Sequence, residues 1–163
     1  MSEELALFRD NVKRFVDTEV LPHYQQWEKA EIFPRKLWNQ LGEQGLLAVD
    51  IPEAYGGYGA NFLFSMAIQE TFARANCGAV GGPMAVHSDI VAHYLLNKGT
   101  EAQKQRFLPR MVSGECVGAV AMTEPGAGSD LQGIRTSARR DGDDYLINGS
   151  KTFITNGQHC DLV

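Results

Sequence analysis

An α+β chain is predicted: an all-α N-terminal domain of about six helices over residues 1–114, then the first part of an antiparallel β domain over residues 115–163. Three observations predict it. Apolar residues recur at three- and four-residue steps through most of the first hundred positions. That period gives way at Ser113-Gly114-Glu115 to shorter apolar runs separated by glycine and polar clusters. Two of the later runs flank Asp141-Gly142-Asp143-Asp144, which is a hairpin signal.

Leu5, Phe8, Val12, Phe15, Val16 and Val20 form one helical stripe, with Ser2 as its cap and Glu3-Glu4 at the positive end of the helix. Leu21-Pro22 is expected to break this helix before a shorter helical segment through Trp27 and Lys29. Phe33-Pro34 then opens a helix from Arg35 to Gln44, which Gly45 ends. The apolar run from Gly45 to Ile51 passes into a glycine-rich loop at Gly56-Gly57, which either only packs or lies near a binding channel.

From Asn61, a cap, to Ala75 almost no polar face remains, so this helix is expected to be buried all round. A further helix follows Gly81-Gly82-Pro83 and ends at Asn97-Lys98-Gly99. His87 and His93 lie on different faces of it, which points to packing or surface roles rather than a metal site. Thr100-Glu101-Ala102-Gln103 is a capping box opening the last helix, Glu101 to Met111, with Lys104, Arg106 and Arg110 on its solvated face.

The small and apolar run Val117 to Met122 reads as a short strand buried on both faces. It stops at Thr123-Glu124-Pro125, where Gly126 and Gly128 allow a bend with exposed backbone donors. Such a loop is either a plain turn or a seat for the polar edge of a ring or a phosphate. Thr136 to Arg140 pairs with Tyr145 to Ile147, and Lys151 to Asn156 is expected to extend the sheet. A β segment of this length has an open edge and half a core, so truncation of a larger domain is expected.

With 163 residues, 44% hydrophobic and 21% charged, the chain is the size of one globular domain. Fifteen basic against 20 acidic side chains leave a net charge of −5, which disfavours generic nucleic-acid binding. Cys77, Cys116 and Cys160 are far apart and odd in number, which argues against a disulfide framework or a zinc site and for a reducing compartment. No apolar run reaches the ~18 residues of a membrane helix, and no leader pattern precedes the first helix, so cytoplasm is expected, with a mature mitochondrial matrix protein as the alternative.

The run Ala121-Met122-Thr123-Glu124-Pro125-Gly126-Ala127-Gly128-Ser129-Asp130 resembles the A-x-T-E-P-x-A-G-S-D signature of the acyl-CoA dehydrogenase family. Asn148-Gly149-Ser150-Lys151-Thr152-Phe153-Ile154-Thr155-Asn156 resembles the family's N-G-x-K-x-[WF]-I-[TS]-N, at the family's spacing. Gly45 to Gly57 resembles its G-L-[LM]-x-[VA]-x-[IV]-P-E-x-[YF]-G-G. The wording of the first motif is nearest that of the long-chain members.

The resemblance implies FAD as cofactor and α,β-dehydrogenation of an acyl-CoA thioester to the trans-2-enoyl thioester. It assigns the backbone of Val120, Met122 and Thr123, the Thr123 side chain, Gly128 and Ser129 to the polar edge of the flavin, and Ser129 also to the CoA portion of the substrate. Phe153, Ile154 and Thr155 are assigned to its other side. An aromatic ring can cover a flavin face and a hydroxyl can meet its rim.

It also implies electron-transfer flavoprotein as acceptor, a homotetramer for the full-length protein, and a glutamate base supplied beyond Val163. Glu124 is read as structural, capping the amides of its own loop. Two other readings stand beside this one: a related flavoprotein such as an acyl-CoA oxidase, and a non-catalytic module that assembles through its open sheet edge. A dinucleotide site is weaker, because Leu131 stands where G-x-G-x-x-G needs glycine.

Overall fold

The computed structural model describes residues 2–163. Ser2 caps α1 (Glu3–Phe15) by accepting from the Leu5 amide at 3.2 Å, as its residue type predicts. The predicted break at Leu21-Pro22 does not occur. A π-turn over Val16–Val20 joins α1 to α2 (Leu21–Ala30), so one rod runs from Glu3 to Ala30. Pro22 follows directly on the widened π-turn, whose hydrogen bonds run up to the Leu21 amide on the Val16 carbonyl oxygen, so the missing N–H is absorbed there without breaking the rod.

Leu37, Trp38 and Leu41 form the inner face of α3 (Lys36–Glu43) and are almost fully buried. The following run Leu46, Leu47, Ala48, Val49 and Ile51 threads the core without forming a strand. An added Cβ on Gly57 would stand 1.9 Å from the Ile51 carbonyl oxygen, so tight packing explains that glycine.

The next helix, α4 (Phe62–Arg74), starts on the Asn61 side chain as predicted but is not buried all round. Phe62, Leu63 and Met66 are exposed while Ser65, Ala67, Ile68 and Phe72 are buried. α1 covers one side of it and α5 the other, leaving a third side uncovered.

α5 (Gly78–Ala85) begins before Gly81-Gly82-Pro83, not after it, and keeps Pro83 inside. A second π-turn, Val86–Val91, carries it into α6 (Ala92–Lys98), giving another continuous rod. Its first turn gains a partner from the first rod, because the Tyr24 hydroxyl accepts from the Ala79 amide at 3.0 Å. Thr100 and Gln103 form the predicted capping box on α7 (Glu101–Val112). Thr100→Ala is expected to lower stability by about 1 kcal/mol in urea denaturation.

Two clusters share the interior. One centres on Val12, Val16, Leu37, Trp38, Phe72 and Met84, the other on Ile51, Ala92, Leu108 and Met111. Gly114 turns the chain out of α7 at φ +77°, where a Cβ would meet the Trp38 carbonyl oxygen at 2.1 Å.

The predicted strand Val117 to Met122 is present only as a single parallel bridge between Gly118 and Leu162. Its hydrogen bonds to Asp161 and Leu162 end at Ala119, so the run is buried to that point and Met122 is 43% exposed. β1 (Ser137–Asp141) and β2 (Asp144–Asn148) form the predicted antiparallel hairpin, with Ser137 opposite Asn148 and Asp141 opposite Asp144. Lys151 to Asn156 does not extend this sheet. Phe153 and Asn156 have φ of 55° and 68°, which a strand excludes, and the segment turns instead.

Candidate functional site

The two sequence motifs lie side by side. The Thr152 amide donates to the Thr123 carbonyl oxygen at 3.0 Å, and the Lys151 ammonium reaches the Met122 carbonyl oxygen at 3.0 Å and the Glu124 carboxylate at 2.9 Å. Lys151 and Glu124 are largely buried, so this ion pair is better protected from solvent than a surface pair. Lys151 was absent from the predicted site residues, although it sits inside the second motif.

Within the first motif, Glu124 and Ala127 exchange backbone hydrogen bonds at 2.8 and 3.1 Å, closing a tight loop whose tip, Pro125-Gly126, is exposed. The Glu124 carboxylate accepts from the Arg135 amide at 2.7 Å and the Thr136 amide at 2.9 Å. Its structural role is the expected one, but the amides it caps lie eleven and twelve residues away.

Thr136, whose hydroxyl lies beside the carboxylate outside regular hydrogen-bond geometry, together with the Arg135 amide and Lys151, holds the Glu124 pKa down to about 2. A depressed carboxylate stabilises the fold above its ordinary pKa and loses that effect as pH falls toward the lowered value. The loop is therefore clamped at neutral pH.

The predicted cofactor residues present a mixed surface. Met122, Gly128, Ser129, Phe153 and Thr155 are exposed, and Val120, Thr123 and Ile154 are half-buried. Phe153 is 91% exposed, so its ring is free to cover a planar partner. Neither Gly126 nor Gly128 has a positive φ, so left-handed backbone is not what calls for glycine there. A Cβ on either would meet nothing within 4 Å, so both border open space.

A cleft of about 480 Å³ lies between the C-terminal half of the first rod, α5 and the second motif. Among the predicted residues only Ile154 lines it. Ser129 and Thr155 are not part of its lining, so this cleft is not a common pocket for both motifs.

Three further side chains fasten the second motif and the segments flanking both motifs to the helices. His87, fully buried, accepts from the Gly118 amide through Nδ1 at 3.0 Å and contacts the Met111 carbonyl oxygen through Nε2 at 3.0 Å. Burial lowers its pKa to about 4, so the ring is neutral, and packing is indeed its role. Arg35 donates to the Gly114 and Glu115 carbonyl oxygens, both at 2.9 Å, and to the Asp161 carboxylate at 2.8 Å. The Asn156 side-chain amide donates to the Pro83 and Gly118 carbonyl oxygens, both at 3.0 Å.

Lone polar residues carry no sequence period, which hides His87 and Arg35. Asn156 was visible as the last residue of its motif.

The other site-type residues are engaged elsewhere. His93 meets Asp50 at 2.8 Å, and Glu70 pairs with Arg9 and Arg74. Among the described residues, no cluster of three or more His, Cys, Asp or Glu is arranged to hold a metal, and no helix is long and apolar enough to cross a membrane. Cys77, Cys116 and Cys160 are free thiols.

Comparison with known proteins agrees with the motifs. Residues 2–115 match the family model described as acyl-CoA dehydrogenase, N-terminal domain, and residues 119–163 match acyl-CoA dehydrogenase, middle domain. Over 162 residues the chain is 49% identical to the mitochondrial long-chain specific acyl-CoA dehydrogenase of Mus musculus, covering 99% of this chain and 37% of that protein. A crystal structure of acyl-CoA dehydrogenase from Geobacillus kaustophilus matches with a TM-score of 0.95 at 47% identity, over 100% of this chain and 43% of that one.

An acyl-CoA dehydrogenase from Bacillus anthracis complexed with FAD matches with a TM-score of 0.91 at 36% identity, over 100% of this chain and 28% of that one. The chain thus spans well under half the length of each of these relatives. With both motifs in place on the matching helical domain and the start of the β domain, the chain belongs to the acyl-CoA dehydrogenase family.

Proposed function

We propose that this chain carries part of the FAD and acyl-CoA site of an enzyme that dehydrogenates acyl-CoA thioesters to trans-2-enoyl-CoA. The observation that carries the proposal is the lateral docking of the two motifs through Thr152 on Thr123 and Lys151 on Met122 and Glu124. The relative complexed with FAD supports the cofactor, and the long-chain relative supports a fatty-acyl substrate.

The residues present suit a flavin. Phe153 offers an unobstructed aromatic face, Thr123, Ser129 and Thr155 offer hydroxyls for a polar rim, and Gly126 and Gly128 border open space. In this assignment Val120, Met122, Thr123, Gly128 and Ser129 hold one edge of the ring system, and Phe153, Ile154 and Thr155 cover another. Ser129 also meets the CoA portion of the substrate. Bound FAD supplies the acceptor for the hydride leaving the acyl β-carbon.

The α-proton needs a carboxylate within hydrogen-bond reach. Glu124 is ionised but saturated by Arg135, Thr136 and Lys151, and Glu70 is paired with two arginines. In line with the family resemblance, this reading places the base outside residues 2–163. Electron-transfer flavoprotein is the proposed acceptor, a homotetramer the proposed assembly, and the cytoplasm or the mitochondrial matrix the proposed compartment.

Titration of the chain with FAD is expected to quench flavin fluorescence saturably, and Phe153→Ala is expected to weaken that binding. A chain that leaves flavin fluorescence untouched would overturn the cofactor assignment. In a dye-coupled assay the chain alone is expected to leave a saturated acyl-CoA unchanged, whereas turnover would overturn the placement of the base.

A further inference from the structure

Asn156 is where three segments of the chain meet. Its side-chain nitrogen carries two N–H donors, and the structure supplies two acceptors at 3.0 Å: the Pro83 carbonyl oxygen inside α5 and the Gly118 carbonyl oxygen beside the first motif. The acceptors lie 73 and 38 residues away in sequence, so the bonds tie together parts that local folding does not.

The backbone suits the residue equally well. Asn156 has φ 68°, a left-handed conformation that asparagine tolerates better than most residues. Its carbonyl oxygen accepts from the His159 amide at 2.9 Å and the Cys160 amide at 2.8 Å, and the Gly157 amide bonds back to the Ile154 carbonyl oxygen at 2.9 Å. Residues 154–160 are thereby wound into a compact turn with Ile154-Thr155 at its start.

The opposite face of Gly118 is held as well. Its amide donates to His87, in the π-turn between α5 and α6, while its carbonyl oxygen accepts from Asn156, so the residue is gripped on both sides by side chains from two distant segments. Asn156 and Lys151 bracket Phe153-Ile154-Thr155 and fasten it at both ends, Lys151 to the first motif and Asn156 to Gly118 and the helical domain.

We propose that Asn156 is a positioning residue that fixes Phe153, Ile154 and Thr155 relative to the first motif and to the helical domain, and so sets the geometry of the flavin seat. This rests on the flavin reading for its consequence in binding, but not for the joint itself.

The test separates side-chain chemistry from backbone preference. Asn156→Asp keeps the shape and the left-handed tolerance but turns an oxygen toward two carbonyl oxygens, and Asn156→Gly keeps the backbone freedom while removing the side chain. In hydrogen exchange of the ligand-free chain, the Gly118, Ala119 and Thr152 amides are expected to exchange about tenfold faster in both variants, the factor one net hydrogen bond represents, with α1 and α4 unchanged.

Both variants are also expected to bind FAD about tenfold more weakly and to lose the resolved shape of the bound flavin's visible band, while the helical far-UV signal is retained. Unchanged exchange at those three amides would overturn the joint. If they do speed up while FAD affinity and band shape stay at the wild-type values, the positioning role is overturned. A wild-type chain that binds no FAD would refute the flavin reading alone, leaving the exchange result to decide the joint.

Discussion

Trp38→Ala is expected to remove about 4 kcal/mol of stability. The indole is fully buried between the Phe33 ring at 5.8 Å and the His87 ring at 5.1 Å. Truncation deletes its apolar surface and leaves a cavity in a core already shared by α1, α3 and α5.

The polar end matters as well. Trp38 Nε1 donates to His159 Nδ1 at 3.1 Å, linking the helical domain to the segment beyond the second motif, and alanine leaves that nitrogen without its donor. Phe at this position should recover part of the packing and none of the hydrogen bond. Urea denaturation followed by far-UV circular dichroism measures both variants. A loss under about 1 kcal/mol for alanine would show that the helical domain and the segment beyond the second motif are not held together through this residue.

Acidification is the second large effect. His87 has its pKa lowered from 6.5 to about 4, chiefly by burial, with the Arg35 charge acting in the same direction and the Met111 contact opposing. A histidine depressed in the folded state stabilises the fold fully above its unfolded pKa. That stability drains away as pH falls from about 6.5 to about 4, because the unfolded chain takes up the proton first.

The gap between the two values corresponds to about 3 kcal/mol. The Gly118 amide is the local casualty, since protonated Nδ1 can no longer accept from it. Burial also lowers the His159 pKa, adding to the loss in the same direction. Urea midpoints collected from pH 7.5 to 4 should fall steadily below about 6.5, and His87→Gln, which does not titrate, should flatten most of that slope. Parallel slopes in the two proteins would rule His87 out as the source.

Helices with a polar cap and a clean apolar stripe were legible in the sequence. Ser2, Asn61 and Thr100 all cap where their residue types predict, and the Gly142-Asp143 turn pairs β1 with β2. The misread places have a common physical cause. Pro22 and Pro83 are local breakers, but a π-turn beside each lets the rod continue, and nothing in the period of side chains announces a π-turn.

Val117 to Met122 has the composition of a buried strand, but composition cannot say how much of it finds a neighbour, and pairing stops at Ala119. Phe153 adopts a left-handed backbone that no local rule predicts for an aromatic residue, and Asn156, a residue that tolerates that conformation, adopts it three positions later, so the segment turns where a strand is expected. The candidate site was legible as two motifs. Their mutual contact was not, because Lys151, Asn156, His87 and Arg35 act across separations of 29 to 126 residues.

The π-turn at Val16–Val20 also decides which way the end of the first rod faces. An extra residue in one turn rotates everything after it by about 100° relative to an uninterrupted α-helix. Before the turn, Leu5, Val12 and Phe15 point inward; after it, α2 buries no residue fully and instead offers Tyr24, Trp27 and Glu28 to the cleft beside the second motif. Deleting Thr18 would restore an ordinary helical repeat, swing the aromatic wall of that cleft away from Ile154, and leave the rest of the bundle to find a new counterpart for it.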